Sequence, residues 1–422
     1  MRFPLLQIKI LIELIIAPFM MLIPKNKRKI VFGAWRGKQF SCNPRYLFEY
    51  TVRRGGFKCI WVGDRELANA VRSIPGAVFV RKGSFMAFWH AITAWVYVFN
   101  IMWEEDIIRF PRYGRVNLVY TTHGYLDKKI GRLQYNGNGE VNKYRKKSFQ
   151  WLRNIQRRVI SWLYKTESWC SECSELAVQK MLEGQQVELR PERMLRFGHP
   201  RADYFIHYGS SVDEKRKQRA IYAKKLNLPM NKKWYLFVPT WRHEKEYLYS
   251  FLASKRRKEI EGLLNEQNAI IIEKQHPIVL ETMLDFDGQT SDLLYSIDRI
   301  QARSIDTQGL LMACDRLITD YSSIYFDYVL MNRPVVHFTY DYDHFMNLDF
   351  GFLYDFRQYG GGPFANTEDE LISFLEMSDD ELIAMRSPKT RTQLLEYAQG
   401  NACENYYALF EKFANSKSFF AL

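Results

Sequence analysis

Cysteine is scarce in this sequence. Six thiols are scattered over 422 residues, too few for a disulfide framework. Only Cys170 and Cys173 form a CxxC, and no second pair answers it at zinc-site spacing. They read as ordinary reduced thiols near a buried strand, which suits a reducing cytosol. An unbroken apolar run is also missing. Residues 4–24 are strongly apolar, but Lys9 and Glu13 interrupt them and KNKRK follows at 25–29, whereas a membrane span needs roughly 20 mostly uninterrupted apolar residues. Arg2 is the only early charge and no small-x-small cleavage site follows, which argues against a signal peptide. The segment is expected to lie in the membrane interface, a span being the lesser alternative. There is no internal repeat or low-complexity tract, and GAWRGKQ at 33–39 has the wrong spacing for a phosphate-binding P-loop.

What is present describes a folded chain of more than one core. Hydrophobic residues make up 47% and charged residues 25%, and the length fits two domains. A formal charge of +13 attracts phosphate-rich partners without choosing among them. From Lys29 onward, β-branched and aromatic runs alternate with amphipathic stretches. Strands are expected at 29–34, 58–62, 77–80, 95–99, 117–121 and 194–198, then at 235–239, 269–273, 316–320 and 334–338. Apolar strands alternating with helices indicate parallel sheets covered on both faces. The expected architecture is α/β, with two Rossmann-like domains facing each other across a cleft. The divisions read are an interfacial helix at 1–27, a first domain at 28–208, a second at 209–395, and a helix at 396–422 packing back on the first.

Acidic residues are absent from one stretch. Residues 143–165 hold eight Lys or Arg and no Asp or Glu, with apolar residues at three- and four-residue steps. Such a basic, Trp-bearing amphipathic helix suits an anionic membrane surface, with Lys146, Lys147, Trp151, Arg157, Arg158 and Trp162 as the contacts. No recognised nucleic-acid module accompanies it, so nucleic acid is not expected as a partner.

Open α/β sheets bind ligands beyond the carboxyl ends of their strands. Those ends carry His123 and Gly124, Thr240 and Arg242, His276, and Asp320 with Ser322 and Ser323. Two histidines, an arginine and a hydroxyl pair make a candidate anion-binding and acid–base site. Asp320 and the serines could equally cap the following helix, which typically contributes about 1 kcal/mol.

These residues carry a resemblance. THGYLDKKIG (122–131), GHPRAD (198–203), FVPTWR (237–242), QHP (275–277) and ITDYSSIYFDYVLMNRPVVHF (318–338), in that order, closely resemble the CDP-glycerol glycerophosphotransferase family of teichoic-acid and capsule biosynthesis. The resemblance runs from about residue 29 to residue 375. It implies a GT-B fold, a CDP-glycerol or CDP-ribitol donor, a lipid-linked polymer acceptor, and work as a peripheral protein on the cytoplasmic membrane face. It implies that His123 is the base for the acceptor hydroxyl, with Gly124 and Lys128 on the acceptor side. His276 matches the family's second histidine, and Thr319, Asp320, Ser322 and Ser323 match its pyrophosphate cradle. Thr122 stands where the family usually has Trp, and Tyr125-Leu126-Asp127 where it usually has Thr-Pro-Leu. Arg201 and Asp203 of GHPRAD match a family pattern, could equally be structural, and are left outside the catalytic set. No carboxylate cage suggests a metal, so no tightly bound cofactor is expected, with loosely held Mg²⁺ on the pyrophosphate left open. A glycosyltransferase using a nucleotide sugar and a non-catalytic binder of anionic polymer are the other readings.

Overall fold

The structure is a computed structural model. It describes residues 19, 22–108, 116–130, 133, 168–184, 189–240, 242, 248–275, 291–298, 301, 305–348 and 351–416. Among these the strands form two sheets, all of whose pairings are parallel. The first contains β1 (Asn26–Phe32), β2 (Lys58–Gly63), β3 (Val78–Arg81), β4 (Ala94–Phe99), β5 (Asn117–Tyr120), β6 (Ser168–Ser171) and β7 (Met194–Leu195), in the order β3-β2-β1-β4-β5-β6-β7. The second contains β8 (Lys233–Val238), β9 (Ala269–Glu273), β10 (Leu294–Ser296), β11 (Arg316–Thr319), β12 (Val335–Phe338) and β13 (Phe364–Ala365), in the order β10-β9-β8-β11-β12-β13.

Counted from its own first strand, each sheet contains the order 3-2-1-4-5-6, the dinucleotide-binding order, and the first sheet adds a seventh strand at its edge. The strand order reverses between β1 and β4 and again between β8 and β11, and a crevice opens at such points. Burial explains the composition of these strands. Every residue of β4 (AWVYVF) and of β9 (AIIIE) is buried, as a sheet covered on both faces requires.

Among the connections that tie the halves together, two bear on the site. Helix Ala402–Asn415 returns to the first sheet, where Tyr406, Leu409, Phe410 and Phe413 join its core. Asp203 caps that helix, accepting from the amides of Ala402 (3.0 Å) and Cys403 (2.7 Å). Gly198, at φ 74°, lets the returning chain pass, since a Cβ there would stand 2.5 Å from the Tyr397 carbonyl oxygen. The second connection is the segment after His123, where Lys128 pairs with Phe352 in an isolated antiparallel bridge and the Tyr354 hydroxyl donates to Leu126 O at 2.7 Å.

Among the described residues no helix is long and apolar enough to cross a membrane. The basic segment 143–165 lies outside the described residues, as does most of the apolar segment 4–24.

Candidate active site

A cavity of about 560 Å³ lies between the carboxyl ends of the two sheets. Its first-domain wall includes Trp35, Thr122, His123, Gly124, Asp127, Lys128 and Glu172, and its second-domain wall includes Thr240, Lys274, Gln275, Ser322 and Ser323.

His123 follows β5 and opens to the cleft. Its Nδ1 is 3.2 Å from the carbonyl oxygen of Asn100, which follows β4. A carbonyl only accepts, so Nδ1 carries the proton and Nε2 keeps its lone pair. Although the residue is exposed to the cleft, desolvation by the surrounding walls lowers its pKa below the usual histidine value, against the opposing pull of the Asn100 bond, and Arg201 adds to the lowering. Asn100 is itself fixed. Asp106 accepts from the amides of Asn100 (3.1 Å) and Ile101 (2.9 Å), and Asn100 Oδ1 accepts from the Trp35 amide at 3.0 Å.

The turn that presents His123 is strained. Thr122, a β-branched residue, has φ 55°, a conformation that costs on the order of 1–3 kcal/mol and persists only where neighbours enforce it. Asn43 does so by donating to the carbonyls of Thr121 (2.7 Å) and Thr122 (3.2 Å). Arg201 holds the next carbonyl, Nη1 to His123 O at 2.9 Å. Gly124 then meets the second domain, where a Cβ would lie 3.2 Å from Ser323 Oγ. A side chain here would crowd the serine, so glycine lets the base and the hydroxyl pair share one space.

The second-domain wall differs in part from the expectation. Thr240, Ser322 and Ser323 line the cavity, but the helix after them begins at Tyr325 and has no side-chain cap. The serines therefore form a turn ahead of the helix and line the cleft instead of capping. Arg242 does not reach the cavity. Its guanidinium meets Asp320 Oδ2 at 2.7 Å and Asp341 Oδ2 at 2.7 Å and is almost wholly buried. With two carboxylates already on it, it braces the loop and has no charge left for a donor phosphate. Asp320 also accepts from the Thr240 amide at 2.7 Å, and Thr319 Oγ1 donates to Val238 O at 2.6 Å. Both shape the wall from behind.

His337 supports it too. The Gly361 amide donates to its Nε2 at 3.0 Å, so its Nδ1 donates to Asp320 O at 3.0 Å. Burial lowers its pKa to about 4, which keeps it neutral. His276, Lys146, Lys147, Trp151, Arg157, Arg158 and Trp162 lie outside the described residues.

Lys274 supplies the cation that Arg242 does not. It follows β9, lines the cavity and is 7% exposed. Burial lowers its pKa to about 8, with Asp306 pulling the other way. The sequence holds the signal, a lysine directly after an apolar strand. Arg201 of GHPRAD also reaches the second domain, where its Nε meets Asp327 Oδ1 at 3.2 Å.

Comparison with known proteins gives the family. Residues 15–412 match the profile of the family described as CDP-Glycerol:Poly(glycerophosphate) glycerophosphotransferase. The teichoic acid poly(glycerol phosphate) polymerase of Bacillus spizizenii is 27% identical over 358 residues, 83% of this chain and 84% of the relative. The teichoic acid glycerol-phosphate transferase of Staphylococcus aureus is 25% identical over 365 residues, 84% of this chain and 85% of the relative. The solved structure of the wall teichoic acid polymerase TagF shares the fold, with a TM-score of 0.71 over 97% of each chain at 19% identity. With a family profile spanning nearly its whole length, the chain belongs to the CDP-glycerol:poly(glycerophosphate) glycerophosphotransferases and is a transferase of that family.

Proposed function

We propose that the chain transfers glycerol phosphate from CDP-glycerol to a hydroxyl at the end of a membrane-linked wall- or capsule-polymer precursor. One observation carries the reading: the loop bearing His123 meets the Ser322–Ser323 turn at Gly124, in a single cavity. A base and an anion cradle on opposing walls are what a transfer between two bound substrates needs.

The acceptor oxygen attacks the phosphorus that bears glycerol. The bond from that phosphorus to the bridging oxygen breaks, and CMP leaves with the electron pair. His123 Nε2 takes the hydroxyl proton, a step typically worth about 10² to 10⁴ in rate. Ser322, Ser323, Thr240 and Lys274 hold the pyrophosphate oxygens as their charge shifts. His276, placed here by resemblance, joins them. The basic segment 143–165 keeps the enzyme on the anionic membrane surface where such an acceptor resides.

The test is CMP release from CDP-glycerol, CDP-ribitol and UDP-sugars, each offered with a lipid-linked or soluble polyol-phosphate acceptor. CDP-glycerol should be the productive donor. Turnover with UDP-sugars alone would make the chain a glycosyltransferase, and turnover with none would leave the polymer-binding reading.

A further inference from the structure

The loop that follows β1 is strained where it reaches the cavity. Trp35, Arg36 and Gly37 have φ 49°, 60° and 81° in succession. Glycine adopts such angles freely, but a tryptophan or an arginine there is an outlier that its surroundings must enforce. Asn100 Oδ1 accepts from the Trp35 amide at 3.0 Å and Asp106 Oδ1 from the Arg36 amide at 2.7 Å. Lys82 Nζ donates to Arg36 O at 2.6 Å, and the Asp64 amide donates to Gly37 O at 2.7 Å. At Gly33 a Cβ would collide with the Asp106 carbonyl oxygen, so glycine lets the loop lie that close. All of these contacts grip the main chain. The indole of Trp35 is left to the cavity, which it lines.

There the indole packs against the base. The Trp35 and His123 ring centroids are 5.4 Å apart and the planes meet at 61°, an edge-on arrangement that aromatic rings favour. Among the described residues one hydrogen bond holds the imidazole, from Nδ1 to Asn100 O at 3.2 Å. A ring held at one atom can still turn about that bond, and a second ring packed on its side restricts the turn. Asn100 serves both residues, because its main-chain oxygen holds His123 and its side-chain oxygen holds the Trp35 amide. Relaxing φ at residue 35 would swing the indole off His123, so the strain and the ring contact belong together. Thr122 leaves no tryptophan beside the base in sequence, and Trp35 brings one from the loop after β1. We propose that Trp35 is a positioning residue for His123, its indole fixing the plane of the imidazole so that Nε2 meets the acceptor hydroxyl, and keeping water from that side of the ring. This rests on the reading that His123 is the base of the transfer.

The variants are Trp35→Ala and Trp35→Phe, read by CMP release against pH, by CDP-glycerol affinity, and by NMR titration of the His123 ring in the free enzyme. That ring's signal is the one of eight histidines lost in His123→Ala. The charges facing His123 come from Arg201, Lys128 and, when protonated, His199, and neither variant alters them. Trp35→Ala should lower kcat at least about tenfold, because a slightly misplaced group loses much of its effect. Water reaching the ring should raise the His123 pKa toward the ordinary value. The NMR midpoint and the acid limb of kcat/KM should then move upward together, by about half a pH unit or more. Trp35→Phe keeps a ring and should recover most of both. CDP-glycerol affinity, set on the opposite wall, should hold in both variants, which also reports that they are folded. An unmoved NMR midpoint and acid limb in Trp35→Ala overturn the role, whatever happens to kcat. A kcat loss matched by lost donor affinity, and not recovered by Trp35→Phe, describes a collapsed loop and overturns it as well. No CMP release from the wild type would sink the proposed reaction and the role with it, whereas an unmoved midpoint in an active Trp35→Ala sinks the role alone.

Discussion

Arg201 and Asp327 form a buried ion pair across the two domains, with Nε 3.2 Å from Oδ1. Arg201 belongs to helix Pro200–Tyr208, which also carries the Asp203 cap, and Asp327 to helix Tyr325–Leu330 behind the serine turn. The Tyr125 hydroxyl donates to the same Asp327 oxygen at 2.8 Å, and the Arg201 guanidinium lies 4.8 Å from the Tyr125 ring centroid. Because Arg201 also holds the His123 carbonyl, one side chain takes part both in the contact between the domains and in the placement of the base.

Breaking this pair from one side should therefore cost both stability and turnover. Removing one partner of a buried pair typically costs about 3–5 kcal/mol, because the other charge is left without a counterion. Arg201→Met should lower the urea midpoint clearly and kcat by at least about tenfold. Arg201→Met with Asp327→Leu should recover part of the stability and little of the kcat. A double-variant loss equal to the sum of the Arg201→Met and Asp327→Leu losses, in either measurement, would mean that the two residues act independently.

The base gives a separate prediction. His123→Ala should lower kcat at least about a hundredfold while the dissociation constant for CDP-glycerol holds. The pH profile adds a check. A histidine with its pKa below the usual value stays neutral through pH 6.5, so the acid limb of kcat/KM should fall below that pH. An acid limb centred at or above pH 7, or near-normal turnover by the alanine variant, would take His123 out of the mechanism.

Membrane attachment is testable on the sequence's own charge. Near an anionic surface each Lys or Arg contributes roughly 1 kcal/mol. Changing Lys146, Lys147, Arg157 and Arg158 to Glu should weaken binding to phosphatidylserine-containing vesicles and leave activity on a soluble acceptor intact. Unchanged sedimentation at both low and high salt would place any anchoring in the apolar segment 4–24 alone.

The long apolar strands were legible because burial on both faces leaves an unmistakable run, as in β4 and β9. Three strands left no such mark. β6 reads SWCS, with serines at both ends, and β10 and β13 are three and two residues long. The 194–198 run shortens to Met194–Leu195, because Gly198 must turn under the returning chain. At the site, strand ends pointed to His123, Gly124, Thr240, Ser322 and Ser323, all of which line the cavity. They could not separate Arg242 from Lys274, because a side chain's charge is visible in sequence and its counterions are not. Asp341, which helps neutralise Arg242, lies 99 residues away.

Lys274 yields the last prediction, and its sign follows from its surroundings. Burial has already lowered its pKa to about 8, so in the free enzyme it is charged below that pH and loses its proton above it. The charged form is the one that attracts a pyrophosphate. Affinity for CDP-glycerol should thus be flat from neutral pH to about 8 and then weaken as pH rises further. A charge-assisted hydrogen bond contributes about 1.5–3 kcal/mol, so Lys274→Met should weaken donor binding about tenfold to a hundredfold at pH 7 and remove the alkaline fall. Arginine stays protonated beyond pH 12, so Lys274→Arg should keep the charge and also flatten the profile, even if its larger fork lowers affinity overall. Calorimetric titration of CDP-glycerol between pH 6.5 and about 9.5 reads all three proteins on one scale, the range being set to bracket that lowered pKa. If all three weaken in parallel above pH 8, the alkaline fall belongs to another group and Lys274 does not hold the donor.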